Sequence, residues 1–212
     1  MLYLKSFCFG PFQENTYLLY DETNTAFIFD PGNSKTSENE TLKSFIDEKQ
    51  LRLERLLLTH GHIDHIMGNR FIFDTYGLLP EVHRDDLFFI ENMVKSADLF
   101  GLTCEPSPLP EKFIEEGDII QLGAYSLQCM HTPGHSPGSI SFYQSQNNLV
   151  LSGDVLFQNS IGRTDLHMGD HNTLIQSIQN KLLLLNPQTK VYSGHGAATS
   201  IGAEKTNNPY IR

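Results

Sequence analysis

The chain of 212 residues carries 15 basic and 25 acidic side chains, a formal net charge of −10, and no cluster of Lys or Arg that would give a nucleic-acid backbone an electrostatic footprint. Its hydrophobic fraction of 39%, with 14 Phe and 8 Tyr, is far above disordered composition and suffices for one domain over residues 1–212. No apolar run approaches membrane-spanning length, and the N-terminal MLYLKSFCFGPFQ lacks the pattern of an export signal, so a cytoplasmic location with no membrane partner is expected.

Short β-like runs come first: LYLKSF, NTYLLY and AFIFD, the last closed by the turn signal DPGN. Residues 34–50 then read as a helix with Leu42, Phe45 and Ile46 on one face and Ser37 as its cap. The run LERLLLTH reads as a buried strand. Helical spacing follows over 65–76 and 85–97, separated by the strand candidate LLPEV. Residues 99–111, with Gly101, Pro106, Pro108 and Pro110, form a loop long enough to be a lid or pocket rim. Four more strands are expected in IIQL, AYSLQCMH, SISFYQ and NLVLSGD, then a helix over 173–185 and a last strand in KVYSGH. Two sheets flanked by helices satisfy this order. Cys8, Cys104 and Cys129 are scattered, which indicates neither a disulfide framework nor a thiolate metal site.

The stretch THGHIDH, 59–65, concentrates three histidines and an aspartate at the end of a strand. His60 and His62 flank a single residue and can reach a common point. Asp64 and His65 follow too closely to share it, so two neighbouring cation sites are the natural geometry. Each site needs donors from elsewhere, because a divalent ion takes about four to six ligands. His135 in HTPGHSPGS, Asp154 in VLSGDVLF and His195 in VYSGHGAAT each follow a strand-like run beside glycine, where backbone can bend into a crowded centre.

With these motifs in order, the sequence resembles the metallo-β-lactamase superfamily, whose signature THxHxDH is matched at 59–65. TPGHSPGS, SGDVLF, IGRTDL, SGHG and the tail EKTNNPYI are similar to the short glyoxalase II-like hydrolases. The resemblance implies an α/β fold, a four-layer αββα sandwich of two mixed sheets flanked by helices. It also implies His60, His62 and His135 on a first metal, Asp64, His65 and His195 on a second, and Asp154 bridging them. Zinc is the expected ion, with iron or manganese compatible with the same donors. Four histidines stay outside this set: His131 as a strand terminus behind the site, His83 as the cap of a surface turn or else a pocket residue near the metals, and His167 and His171 as solvated loop residues, with Asp170 as the cap of the following helix.

Two such ions can share a water, lower its pKa and hold it as hydroxide while polarising a substrate carbonyl. Asp64 is in addition a catalytic residue, accepting a hydrogen bond from that nucleophile. The expected activity is hydrolysis of a small thioester such as a hydroxyacyl-glutathione-type substrate. Arg163 in IGRTDL resembles the position of a basic glutathione contact, or else it pairs with Asp165. The chain departs from full glyoxalase II in lacking that enzyme's helical C-terminal segment, which leaves glutathione recognition open. The alternative is a mononuclear iron persulfide dioxygenase-like oxidoreductase, against which the second donor set argues. A lactamase is less expected without an export signal, and a nuclease without a basic surface. The sequence leaves the oligomeric state open.

Overall fold

In the computed structural model, which describes residues 1–211, fourteen strands and seven α-helices build an αββα sandwich. The first sheet contains β1 (Leu2–Phe9), β2 (Glu14–Asp21), β3 (Thr25–Phe29), β4 (Arg52–Leu57), β5 (Pro80–Val82) and β6 (Lys112–Phe113), in that spatial order. It is antiparallel from β1 to β3 and parallel from β3 to β6. The second runs in the order β14 (Thr199–Ser200), β13 (Lys190–Ser193), β10 (Leu149–Gly153), β9 (Ile140–Gln144), β8 (Tyr125–His131) and β7 (Ile119–Leu122). Only the β10–β13 pair in it is parallel. β11 (Leu156–Phe157) and β12 (Ser160–Ile161) form a separate hairpin.

The period-2 alternation of the strands sorts side chains between layers. Phe27, Phe29 and Leu57 of the first sheet meet Cys129, Ile140 and Phe142 of the second, with the Phe29 and Phe142 rings edge to face at 5.1 Å. Ala26, Ile28 and Leu56 point the other way, onto Leu42 and Ile46 of α1 (Thr36–Glu48) and onto Ile66 of α2 (Ile63–Ile66). On the far side Val150 and Val191 bury Leu174 and Ile178 of α6 (His171–Asn180) and Ile201 of α7 (Ile201–Asn207).

The remaining helices depart from the sequence reading in specific ways. The stretch 65–76 is broken between α2 and α3 (Asn69–Tyr76) at Gly68, whose N–H donates to Pro31 O at 2.7 Å and where a Cβ would collide with Asn33. The stretch 85–97 becomes a 3-10 turn, α4 (Leu87–Glu91) and α5 (Met93–Leu99), interrupted where the Asn92 side chain donates to Phe88 O at 2.8 Å. Ser37 does not cap α1. Lys35 occupies that position, and the Glu38 carboxylate folds back to accept from Ser34 N at 2.7 Å. Asp170 caps α6 as expected, accepting from Thr173 N at 2.7 Å, but the helix ends at Asn180 and a 3-10 turn covers Leu182–Leu184. The hairpin β11–β12, the short edge strands β6 and β14, and α7 carried no periodic signal in the sequence. No helix among the described residues is long and apolar enough to cross a membrane.

Candidate metal centre

The residues singled out in the sequence arrive at one rim of the sandwich because each follows the end of a strand. His60 and His62 lie between β4 and α2, Asp64 and His65 on α2, His135 beyond β8, Asp154 beyond β10 and His195 beyond β13. The last segment is tied across to the first sheet: Asn15 N donates to Gly194 O at 2.7 Å, and Tyr17 OH donates to Ser193 O at 2.7 Å. Gly194 is required by the close approach, since a Cβ there would collide with Asp154 Oδ1 and the His65 ring.

Six of the seven side chains form two triads. Ligand-type atoms of His60, His62 and His135 lie within 4.8 Å of one another, as do those of Asp64, His65 and His195. Within the first, His62 Nδ1 stands 2.8 Å from His135 Nε2. Within the second, His195 Nε2 is 3.0 Å from Asp64 Oδ2. Asp154 lies between them, with Oδ1 3.5 Å from His65 Nε2 and Oδ2 3.5 Å from His135 Nε2 and 3.6 Å from His195 Nε2. The two centres the sequence suggests are thus adjacent and share one carboxylate face.

Neighbouring groups set which ring nitrogen is free. A carboxylate can only accept, so the Thr59 hydroxyl donates to Asp30 Oδ2 at 2.6 Å and presents its lone pair to His60 Nδ1 at 3.0 Å. His60 therefore carries its proton on Nδ1 and leaves Nε2 bare. His65 Nδ1 donates to the same Asp30 oxygen at 3.1 Å, and His135 Nδ1 donates to Arg163 O at 2.8 Å. The atoms left over are buried and without hydrogen-bond partners: Nε2 of His60, His62 and His65, and Asp154 Oδ1. Buried polar atoms are ordinarily paired, so this convergence of orphaned donors fits a divalent cation.

The electrostatics agree. Burial holds His60 well below the ordinary imidazole range, with the neighbouring imidazoles adding to it, and burial pushes His62 down to about 3. Burial also lowers His135. All three are neutral, the form that ligates a metal. Burial alone would raise Asp154 and Asp64, yet His65 and the other histidines outweigh it and keep both carboxyls below their usual range. The reverse holds for His65 and His195, where burial is overcome by Asp64 and Asp154 and both imidazoles are raised. The carboxylates thus favour positive charge in the second triad, which suits it to a cation.

Several supporting residues escaped the sequence reading. Asp30, buried at the end of β3, was visible only as the first residue of the DPGN turn; its φ of 48° turns the carboxylate back toward Thr59 and His65. Asp86 reads in sequence as part of a polar helix start. It is fully buried and accepts from Gly61 N at 2.8 Å, Ser136 Oγ at 2.7 Å and Gly138 N at 2.6 Å, joining the loop of His60 and His62 to that of His135. Glu14 is buried beside His65, 3.9 Å from its Nδ1, and burial raises its pKa. His83 is not a surface residue: it is 7% exposed, its ring stacked on His131 at 4.2 Å. With Asp85 these two form a further His and Asp grouping, but His83 Nδ1 accepts from Asp85 N and His131 Nε2 donates to Pro137 O, so partners within the chain already use them.

Above the triads opens a cavity of about 610 Å³ lined by Phe89, Phe100, Phe157, Arg163, His167 and both carboxylates of the centre, among others. Arg163 stands at its mouth with its guanidinium on both oxygens of Asp165, each at 2.8 Å. His167, read as a solvated loop residue, is exposed but also belongs to this wall, packed on Phe88.

The family model of the metallo-β-lactamase superfamily matches residues 9–195. The chain is 41% identical over 202 residues to the hydroxyacylglutathione hydrolase GloC of Haemophilus influenzae, covering 94% of this chain and 93% of that one. Among solved structures it is similar to the BLEG-1 B3 metallo-β-lactamase, with TM-score 0.91 and 38% identity over 99% of each chain. It is also similar to TTHA1623 in a di-iron-bound form, with TM-score 0.88 and 36% identity over 97% of this chain and 99% of that one. With the sandwich, the ordered motifs and these likenesses in agreement, the chain belongs to the metallo-β-lactamase superfamily.

Proposed function

We propose that this chain is a metal-dependent hydrolase of small acyl thioesters. In this reading His60, His62 and His135 hold one divalent ion, and Asp64, His65 and His195 a second, with Asp154 between them. The observation that carries it is the set of buried, unpartnered nitrogens and the Asp154 oxygen converging on two adjacent points. Zinc, iron and manganese all suit these donors. Bound there, divalent ions supply Lewis acidity and lower the pKa of water toward neutrality.

The chain's own groups do the rest. Asp64, on the pocket wall with Oδ2 turned to His195, accepts a hydrogen bond from the attacking water and fixes its direction. Thr59, Asp30 and the Arg163 carbonyl hold the imidazoles in the ligating tautomer. The apolar walls exclude bulk water from the carbonyl under attack. The likeness to a hydroxyacylglutathione hydrolase supports the thioester among the superfamily's substrates. The likeness to a B3 metallo-β-lactamase favours lactam hydrolysis as a second reading.

Elemental analysis of protein purified without chelator, followed by assay of 2-hydroxyacyl thioesters, a β-lactam and a persulfide, separates these readings. The proposal expects about two equivalents of metal and thioester turnover lost in His60→Ala. Lactam turnover without thioester turnover favours the second reading. One equivalent of iron with oxygen consumption on the persulfide means an oxidoreductase instead.

A further inference from the structure

The walls of the cavity match an uncharged substrate. Phe12, Phe89, Leu99, Phe100, Phe157 and Leu166 line it, drawn from the turn after β1, from α4 and α5, from β11 and from the loop before α6. At its mouth Leu99 is 85% and Phe100 54% exposed, and the Phe100 ring meets Phe12 edge to face at 5.2 Å. Large apolar side chains gathered in water at the opening of a cavity gain free energy only when something apolar covers them. The cavity volume of about 610 Å³ is in the range that takes a small molecule.

Cations are scarce on the same walls. Among the described residues Arg163 is the one Lys or Arg lining the cavity, and Asp165 already engages its guanidinium through two hydrogen bonds of 2.8 Å. The other formally charged side chains there, Asp64 and Asp154, belong to the metal centre at the floor, which leaves Arg163 as the one permanently charged side chain toward the mouth. The two carboxylates of a glutathione-type thiol would find a single guanidinium on these walls, and they would have to compete with Asp165 for it, whereas an apolar thiol meets Phe12, Leu99 and Phe100 directly.

We infer that the thiol half of the substrate, reaching from the carbonyl at the floor to the mouth, is an uncharged apolar or aromatic group held by Phe12, Leu99 and Phe100. This rests on the thioesterase reading, and the test distinguishes the two. The metal-loaded protein is assayed on three thioesters that share one 2-hydroxyacyl group, carried on benzyl mercaptan, N-acetylcysteamine or glutathione. The inference expects kcat/KM on the benzyl ester to exceed that on the glutathione ester by about tenfold or more, the size of one well-covered aromatic contact. Phe100→Ser, a change at an exposed position, narrows that ratio toward one.

A glutathione ester turned over as well as the benzyl ester overturns the inference and leaves the thioesterase intact. Turnover of none overturns the thioesterase. The pocket's preference is then read by calorimetry on the three corresponding thioethers, tighter binding of the benzyl compound supporting it and equal or tighter binding of the glutathione compound overturning it. Dissociation of an oligomer on Phe100→Ser marks the rim as a subunit contact and overturns it too.

Discussion

Replacing Thr59 by Val keeps the shape of the side chain and removes one hydroxyl. That hydroxyl donates to Asp30 Oδ2 at 2.6 Å and accepts from His60 Nδ1 at 3.0 Å, both inside the protein. A hydrogen bond to a charged group contributes about 1.5–3 kcal/mol, and a buried N–H left without an acceptor costs about 1–3 kcal/mol. Asp30 keeps the Thr59 backbone N–H at 2.7 Å and His65 at 3.1 Å, so its carboxylate is not stranded. The expected loss is therefore about 3 kcal/mol, a large part of the ~5–15 kcal/mol that holds a domain of this kind together. It is read as a shift of the urea midpoint in chelator at pH 7. The second consequence concerns the metal: with Nδ1 unfixed, His60 no longer presents a bare Nε2, and affinity falls about 10–100-fold, as for other groups that orient a ligating imidazole. Competition with a chromophoric chelator measures it, and Thr59→Ser restores both quantities. A Val variant within about 1 kcal/mol of the parent, binding metal within a factor of three, would refute the assignment of the His60 tautomer.

Three further changes probe separate parts of the architecture. Gly194→Ala puts a methyl against Asp154 Oδ1 and the His65 ring, so metal affinity is expected to fall while circular dichroism stays unchanged. Buried Asp86 is pushed up to about 6, chiefly by burial, so between pH 4 and 6 the folded chain holds a proton that the unfolded chain releases. Its contribution to stability is full below about 4 and is lost as pH rises through 6, a change of about 2–3 kcal/mol that Asp86→Asn removes from the difference between the two unfolding curves. Glu204, 1% exposed, accepts from Asn159 N at 2.9 Å and Asn208 Nδ2 at 2.8 Å, and Glu204→Gln, which trades an acceptor for a donor, is expected to cost about 1–3 kcal/mol in thermal unfolding.

Strand β3 was legible as a short apolar run closed by the DPGN turn; that Ala26 and Ile28 face one layer while Phe27 and Phe29 face another shows only in the fold, since all four are apolar. The helix breaks were not legible, because Gly68 and Asn92 act through tertiary partners, Pro31 and Asn33 for one and the Phe88 carbonyl for the other. The candidate ligands stood out because three histidines and an aspartate in seven residues have no ordinary reason to cluster. Asp30 and Asp86 did not, since one looked like a turn residue and the other like a helix start. Only the fold reveals that each carboxylate is buried against backbone N–H groups from loops distant in sequence. His167 illustrates the same limit: a solvated residue in a loop becomes part of a cavity wall once α4 packs beneath it.

The division of labour between the sheets explains why the centre sits where it does. Antiparallel pairs place consecutive strand ends at opposite rims, whereas β3 and β4, and likewise β10 and β13, are parallel and end at the same rim. Asp30 and the 59–65 loop therefore leave the first sheet beside one another, and Asp154 and His195 leave the second beside one another. The two pairs meet across the sandwich at His65, which touches Asp30 on one side and faces Asp154 on the other. A cation there would neutralise carboxylates contributed by both sheets at once, so removing it should loosen the contact between the layers as well as the site itself. If chelation leaves amide exchange in β10 and β13 unchanged, the coupling of this rim to the sandwich is not as described.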